Sequence, residues 1–167
     1  MTVTLLELKP GSVDMHIMQA SINYRRKTRL KIRLNERHES LNPLHAAAQC
    51  GHAAIIEKLL SRGAGMINSK DDNGNSPLKI ATTYGKREAV HFLLEAGADL
   101  SVNVKNRFNT SLLHAAAKGG DVEIIKTMLS RGLDANSKDS NGRTPLMIAK
   151  LNGKTEAVAL LLSKEGR

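Results

Sequence analysis

Residues 43–51 have the sequence PLHAAAQCG, and related stretches follow as PLKIATTYG at 77–85, LLHAAAKGG at 112–120 and PLMIAKLNG at 145–153. The second residue of every copy is a leucine: Leu44, Leu78, Leu113 and Leu146. These leucines are 34, 35 and 33 residues apart, a glycine follows each after seven residues, and an apolar pair follows after fifteen and sixteen. Four segments that agree at so many offsets indicate a chain built from repeated structural units.

The local sequence of each copy predicts two short helices. Asn42, Ser76 and Thr144 each precede a proline, which is the order of an N-cap and the first helical residue. The glycine at the seventh offset ends the first helix, because glycine adopts the left-handed conformation at low cost. The apolar pattern of 55–60 then predicts a second helix, and the polar stretches 70–74 and 138–142, each ending in Asn-Gly, predict tight turns between the units.

Three matching segments show a resemblance to a known family. Thr144-Pro145-Leu146, Leu113-His114-Ala115-Ala116 and Gly97-Ala98-Asp99 resemble the ankyrin repeat, whose signature is Thr-Pro-Leu-His-x-Ala with a period near 33 residues. The resemblance implies an all-α solenoid of helix-turn-helix units with projecting hairpin loops, which we call fingers. It also implies that His45 and His114, at the signature histidine position, join adjacent loops through hydrogen bonds.

The domain organisation follows from the register. We expect an ankyrin-repeat array over residues 35–167, with repeats near 35–69, 70–103, 104–137 and 138–167. Residues 1–34 do not fit the register and form a basic N-terminal extension. Two interpretations of the extension stay open: it is disordered, or a short helix over residues 15–22 packs as a cap on the array.

The composition narrows the function. Cys50 is the single cysteine, which excludes an internal disulfide and indicates a reducing compartment; we expect it to be a small apolar filler. We find no signal peptide and no apolar run long enough to span a membrane. We therefore expect an intracellular protein of the cytoplasm, with the nucleus as a further compartment.

No residue pattern in the sequence indicates catalysis. No group of His, Cys, Asp or Glu has the spacing of metal ligands, and every glycine is explained by a helix end or a turn rather than by a phosphate-binding loop. We expect no catalytic residue, no metal and no cofactor, and thus a protein that is not an enzyme.

The resemblance places partner binding on the concave surface formed by the first helices and the fingers. The candidates on the finger tips are Asp72, Asn75, Arg107, Phe108, Ser140 and Arg143. Those on the first helices are Gln49, Thr83, Tyr84, Lys118 and Leu151. Phe108, which we align with Gly74 and Gly142 of the other fingers, is either an exposed contact anchor or folds back onto the neighbouring finger. We expect a monomeric protein-protein interaction module, or a small scaffold or adaptor.

Most of the net charge of +9 lies in one short segment, which leaves an alternative open. This basic arm contains Arg25, Arg26, Lys27, Arg29, Lys31, Arg33 and Arg37. One interpretation is a nuclear-localisation signal or an electrostatic arm that binds nucleic acid or an acidic surface. The other is a strand or cap with one solvated face, which the alternation of basic and apolar residues favours. A further alternative is an accessory fragment of a larger ankyrin-repeat protein.

Overall fold

The computed structural model describes residues 43–61, 66–101 and 108–164, and within them eight short helices follow one another in pairs, with no strand. The first helices of the pairs are α1 (Pro43–Cys50), α3 (Pro77–Thr83), α5 (Leu112–Gly119) and α7 (Pro145–Leu151). The second helices are α2 (Ala53–Ser61), α4 (Arg87–Glu95), α6 (Val122–Ser130) and α8 (Thr155–Leu162). The predicted all-α solenoid is confirmed.

Side-chain caps begin the first helices. The hydroxyls of Ser76 and Thr144 accept the backbone N–H three residues further on, at 3.2 and 3.4 Å, as the sequence predicts. Ser111 caps α5 in the same way at 3.4 Å, although Leu112 stands where the other helices have proline. The third predicted cap, Asn42, lies outside the described residues. The cap hydroxyl, rather than the proline, is therefore the feature shared by these three helices.

Two consecutive glycines fix the end of α5. Gly120 takes the left-handed conformation with φ 83° and ends the helix as predicted. A Cβ atom on Gly119 would lie only 2.9 Å from the carbonyl oxygen of Thr82 and 3.1 Å from that of Thr83. Hence α5 approaches the end of α3 more closely than a residue with a Cβ atom at position 119 would allow.

The core consists of thin layers stacked along the chain. Each first helix packs against its neighbouring first helices and against its own second helix. The alanines of α1 and α5 are buried and keep these layers thin. The largest side chains of the core are fully buried: Leu44, Ile56, Leu78, Leu93, Leu112, Leu113, Ile125, Met128 and Leu161. A core of small aliphatic residues is what repeated layers require.

One aspartate organises each of two fingers. The Oδ1 atom of Asp71 accepts the backbone N–H groups of Asn73 and Asn75, at 2.9 and 2.8 Å. Asp139 accepts those of residues 141 and 143 at 2.9 Å each. Because these bonds close the turn from inside, the predicted Asn-Gly turns form tight hairpin-like loops.

The finger before α5 differs from our alignment. Asn109 has φ 49° and lies four residues before Leu113, the place that Gly74 and Gly142 take before the leucines of their repeats. The alignment of Phe108 with the two glycines was therefore wrong by one residue. Asparagine replaces glycine here because it tolerates the left-handed conformation better than other residues with a Cβ.

Candidate functional site

Two buried histidines join the first helices to the fingers. The Nε2 atom of His45 lies 3.1 Å from the carbonyl oxygens of Ser69 and Asn75, and that of His114 lies 2.8 Å from the carbonyl oxygen of Arg143. Burial lowers the pKa of both imidazoles below 6.5, so they are neutral at pH 7. The predicted hydrogen bonds between helix and loop are confirmed.

A lysine occupies the same position in the second repeat. Lys79 is only 4% exposed, and its Nζ atom donates at 2.7 Å to both the carbonyl oxygen and the hydroxyl of Thr110. Burial lowers the pKa of this ammonium group from 10.5 to about 8. Sequence reasoning did not assign this role to Lys79, although its alignment with His45 and His114 carries the signal.

Three of the candidate contact residues are occupied within the fold. Asn75 and Arg143 hold their own fingers, since the side chain of each donates to the aspartate that organises the turn. The carboxylate of Asp139 keeps a lowered pKa in spite of its burial, because groups of Arg143 donate to it. Gln49 is 9% exposed, and a side chain already covered by the fold offers little surface to a partner. We remove Gln49 from the contact set for this reason.

The other described candidates offer surface to a partner. Tyr84 is 50% exposed, Phe108 56% and Leu151 70%. Thr83 is half-buried, and its hydroxyl donates to the carbonyl oxygen of the residue four positions earlier. The remaining polar candidates are exposed: Asp72, Lys118 and Ser140. We call the set of Thr83, Tyr84, Lys118 and Leu151 with Asp72, Phe108 and Ser140 the finger-helix surface.

Phe108 contributes backbone and side chain in different ways. Its carbonyl oxygen accepts the N–H of Ser140 at 3.0 Å, which ties two neighbouring fingers together. More than half of the aromatic side chain stays exposed beside that bond. An aromatic ring on a fixed backbone suits a contact anchor, because little conformational entropy is lost on binding.

Several predicted features fall outside the described residues, and one was wrong. Arg107, residues 15–22 and the whole basic arm of residues 25–37 lie outside them. Cys50 is exposed at the end of α1, so the expectation of an apolar filler was wrong. In α1 the residue directly before the turn glycine Gly51 therefore faces solvent rather than the core.

A second surface, which the sequence did not indicate, lies on the second helices. An open groove of about 490 Å³ runs across α2, α4 and α6. Ala53, Val90 and Ile124 contribute apolar side chains to it, while Glu88 and Glu123 contribute carboxylates. We call it the second-helix groove.

Two further properties concern the described part of the chain. It holds no group of three His, Cys, Asp or Glu residues close enough to bind one metal ion. Over the same ranges, no helix has the length and apolar character needed to cross a membrane.

Comparison with known proteins identifies relatives of the repeat array. A family model of ankyrin repeats in three copies matches residues 15–104 and 100–167. The human transient receptor potential cation channel subfamily A member 1 is 35% identical over 123 residues, 72% of this chain and 11% of the channel subunit. A probable 26S proteasome regulatory subunit of Saccharomyces cerevisiae is 33% identical over 126 residues, 74% of this chain and 54% of that subunit. Inversin of Gallus gallus is 32% identical over 119 residues, 71% of this chain and 11% of inversin.

Proposed function

The chain belongs to the ankyrin-repeat family of non-catalytic protein-protein interaction modules, and on this premise we propose that it binds its partner through the finger-helix surface. The aligned stretch covers only part of each relative, so the activities of those whole proteins are not carried over. The partner is another protein, and the module acts as a small scaffold or adaptor.

One observation carries this proposal. Tyr84, Phe108 and Leu151 leave half or more of their side chains exposed, although the layers below them are tightly packed. Large apolar side chains are costly to leave in water, and aromatic residues are enriched among the residues that contribute most binding energy at interfaces. Because α3 and α7 are fixed in the array, binding through these residues orders little additional chain.

The proposed repeat boundaries agree with the order of the helices. One helix pair falls within each of the ranges 35–69, 70–103, 104–137 and 138–167. The match to the family model begins at residue 15, upstream of the proposed first repeat. We also propose that the protein is monomeric and that it acts in the cytoplasm or nucleus. The proposed compartments are consistent with the exposed thiol of Cys50, because a reducing environment keeps such a thiol free.

Affinity capture with matched variants tests the proposal. The full chain is immobilised beside Tyr84→Ala, Phe108→Ala and Leu151→Ala variants, and captured proteins are identified by mass spectrometry. A control variant, His91→Ala, changes the second-helix groove at an exposed residue. We expect each of the first three substitutions to weaken capture of the same partners and His91→Ala to leave it unchanged. Partners that depend on His91 and on none of the three would refute the proposal.

A further inference from the structure

Three lysines share the edge at which the first helices turn into the second helices. They are Lys86, Lys118 and Lys154, and we call them the lysine edge. A Cβ atom placed on Gly51 would lie 2.9 Å from Cδ of Lys86, so this lysine lies across the turn of the preceding repeat. A Cβ atom on Gly120 would lie within contact of Lys154 in the same way. Each of these two side chains thus bridges two neighbouring repeats.

The third lysine lies between them. Gly119, the residue after Lys118 in α5, packs against the backbone of residues 82–85, which places the end of α5 beside the end of α3. Tyr84, at that end of α3, precedes Lys86 by two residues. Lys118 is exposed, and Leu151 occupies the equivalent position in α7, five residues after the leucine of its repeat. The lysine edge is therefore flanked by two exposed apolar side chains.

The charges of this edge are not neutralised within the described residues. None of the three lysines forms an ion pair there, whereas Asp121, at the same turn position in the third repeat, is bound by Arg87 at 2.6 Å. The nearby carboxylates of Glu88 and Glu123 line the second-helix groove instead. Lys86 and Lys154 are the N-cap residues of α4 and α8, and the positive N-terminal end of a helix dipole does not offset their charge.

Resting on the proposed function, we propose that the lysine edge, with Tyr84 and Leu151, binds an acidic polypeptide segment that carries apolar side chains. Carboxylates of the segment pair with the lysines and its apolar residues contact Tyr84 and Leu151. The four turns span three spacings between neighbouring helices, roughly 24–30 Å at 8–10 Å each. An extended segment of about eight or nine residues covers this length.

The probe for this proposal is a labelled nine-residue peptide with leucine at every third position and aspartate or glutamate elsewhere. Its binding to the full chain is measured by fluorescence anisotropy at two salt concentrations. The test variant combines Lys86→Gln, Lys118→Gln and Lys154→Gln. Glutamine retains the Cβ, Cγ and Cδ atoms that lie over the turn glycines, so packing is preserved.

Two matched variants separate the lysine edge from other cations. Lys58→Gln, Lys126→Gln and Arg131→Gln remove the same charge from the second helices and the turn after α6. Arg29→Gln, Lys31→Gln and Arg33→Gln remove it from the basic arm. We expect the lysine-edge variant to weaken peptide binding about tenfold and both matched variants to weaken it less than twofold. Urea unfolding of every variant checks that its stability, and hence its fold, is unchanged.

Three outcomes overturn the proposal. The lysine-edge variant binds the peptide as well as the unaltered chain, or the basic-arm variant loses the binding. Alternatively, a single-stranded RNA of nine nucleotides or phosphatidylserine vesicles bind more tightly than the peptide in a manner that depends on the lysine edge. If capture of lysate proteins still requires Tyr84 and Phe108 in any of these cases, the proposed function stands and only the acidic chemistry of the partner is wrong.

Discussion

The buried ammonium group of Lys79 makes stability depend on pH in a way that can be measured. Its pKa is about 8 in the folded chain and 10.5 in the unfolded chain, so the folded state favours the neutral amine. The contribution of Lys79 to the free energy of unfolding is therefore smallest below pH 8, and it rises as the pH increases from 8 to 10.5. The neutral amine still has two N–H groups, enough for both acceptors on Thr110, so deprotonation preserves the hydrogen bonds.

The magnitude follows from the two pKa values. At 1.36 kcal/mol for each pH unit, the interval from 8 to 10.5 corresponds to about 3.4 kcal/mol. The folded chain is already half deprotonated at pH 8 and the unfolded chain is still mostly protonated at pH 10, so we expect a gain of about 1–2 kcal/mol over that range. A Lys79→Met variant lacks the titrating group and leaves the oxygens of Thr110 without this donor. It should be less stable by about 1–3 kcal/mol at pH 7.5.

Urea unfolding of both proteins at several pH values from 7.5 to 10 provides the assay. The two proteins differ only at position 79, so the difference between their unfolding free energies isolates Lys79. We expect this difference to grow by 1–2 kcal/mol between pH 8 and pH 10. A Lys79→His variant serves as the control, because histidine makes the equivalent bond in the first and third repeats. A difference that is constant or shrinks over this range would refute the reasoning.

Three further predictions concern the contacts between repeats. The free energy of unfolding should fall as the pH decreases from 6.5 towards 5, because burial lowers the pKa of His45 and His114 and protons bind the unfolded chain first; urea titrations of the unaltered chain and a His114→Asn variant, whose profile should be flatter, check this. Gly119→Ala should destabilise the array by about 1–3 kcal/mol in thermal melts, since its Cβ would meet the carbonyl oxygen of Thr82 at 2.9 Å; equal or greater stability would contradict the close approach. Asp139→Ala should cost about 2–3 kcal/mol, because the carboxylate accepts three hydrogen bonds in its finger, and hydrogen exchange should accelerate there before it does in the helices.

The fold could be predicted because residues within each repeat determine where its helices begin and end. Ser76 and Thr144 begin helices by satisfying backbone N–H groups, and the turn glycines end them by adopting a conformation that few other residues adopt. These effects act over three or four residues, so a single sequence contains them. Four copies in register then leave few other folds that are compatible with the pattern.

The site was less predictable because exposure depends on neighbours that are distant in the sequence. Gln49 and Lys118 occupy equivalent positions, five residues after their leucines, yet the first is buried and the second is exposed. The alignment error at Phe108 arose because the spacing from Leu78 to Leu113 is one residue longer than the spacing from Leu44 to Leu78; counting back from Leu113 and the φ of 49° both place Asn109 at the glycine position. Counting residues along the chain therefore places Asn109 but does not determine which of Gln49 and Lys118 is exposed.

The position directly after each leucine shows how the following finger determines the role of a residue. In the first three repeats it holds His45, Lys79 and His114, which differ in charge and length but all donate to oxygen atoms of the next finger. The shared requirement is a buried donor that reaches this loop. Leaving an acceptor of the loop without a donor would cost more free energy than exchanging one donor residue for another. In the fourth repeat the residue is Met147, which has no donor and is 49% exposed. Together with Leu151, one turn further along α7, it extends the apolar part of the finger-helix surface, so the same position supports the fold in three repeats and is available to a partner in the fourth.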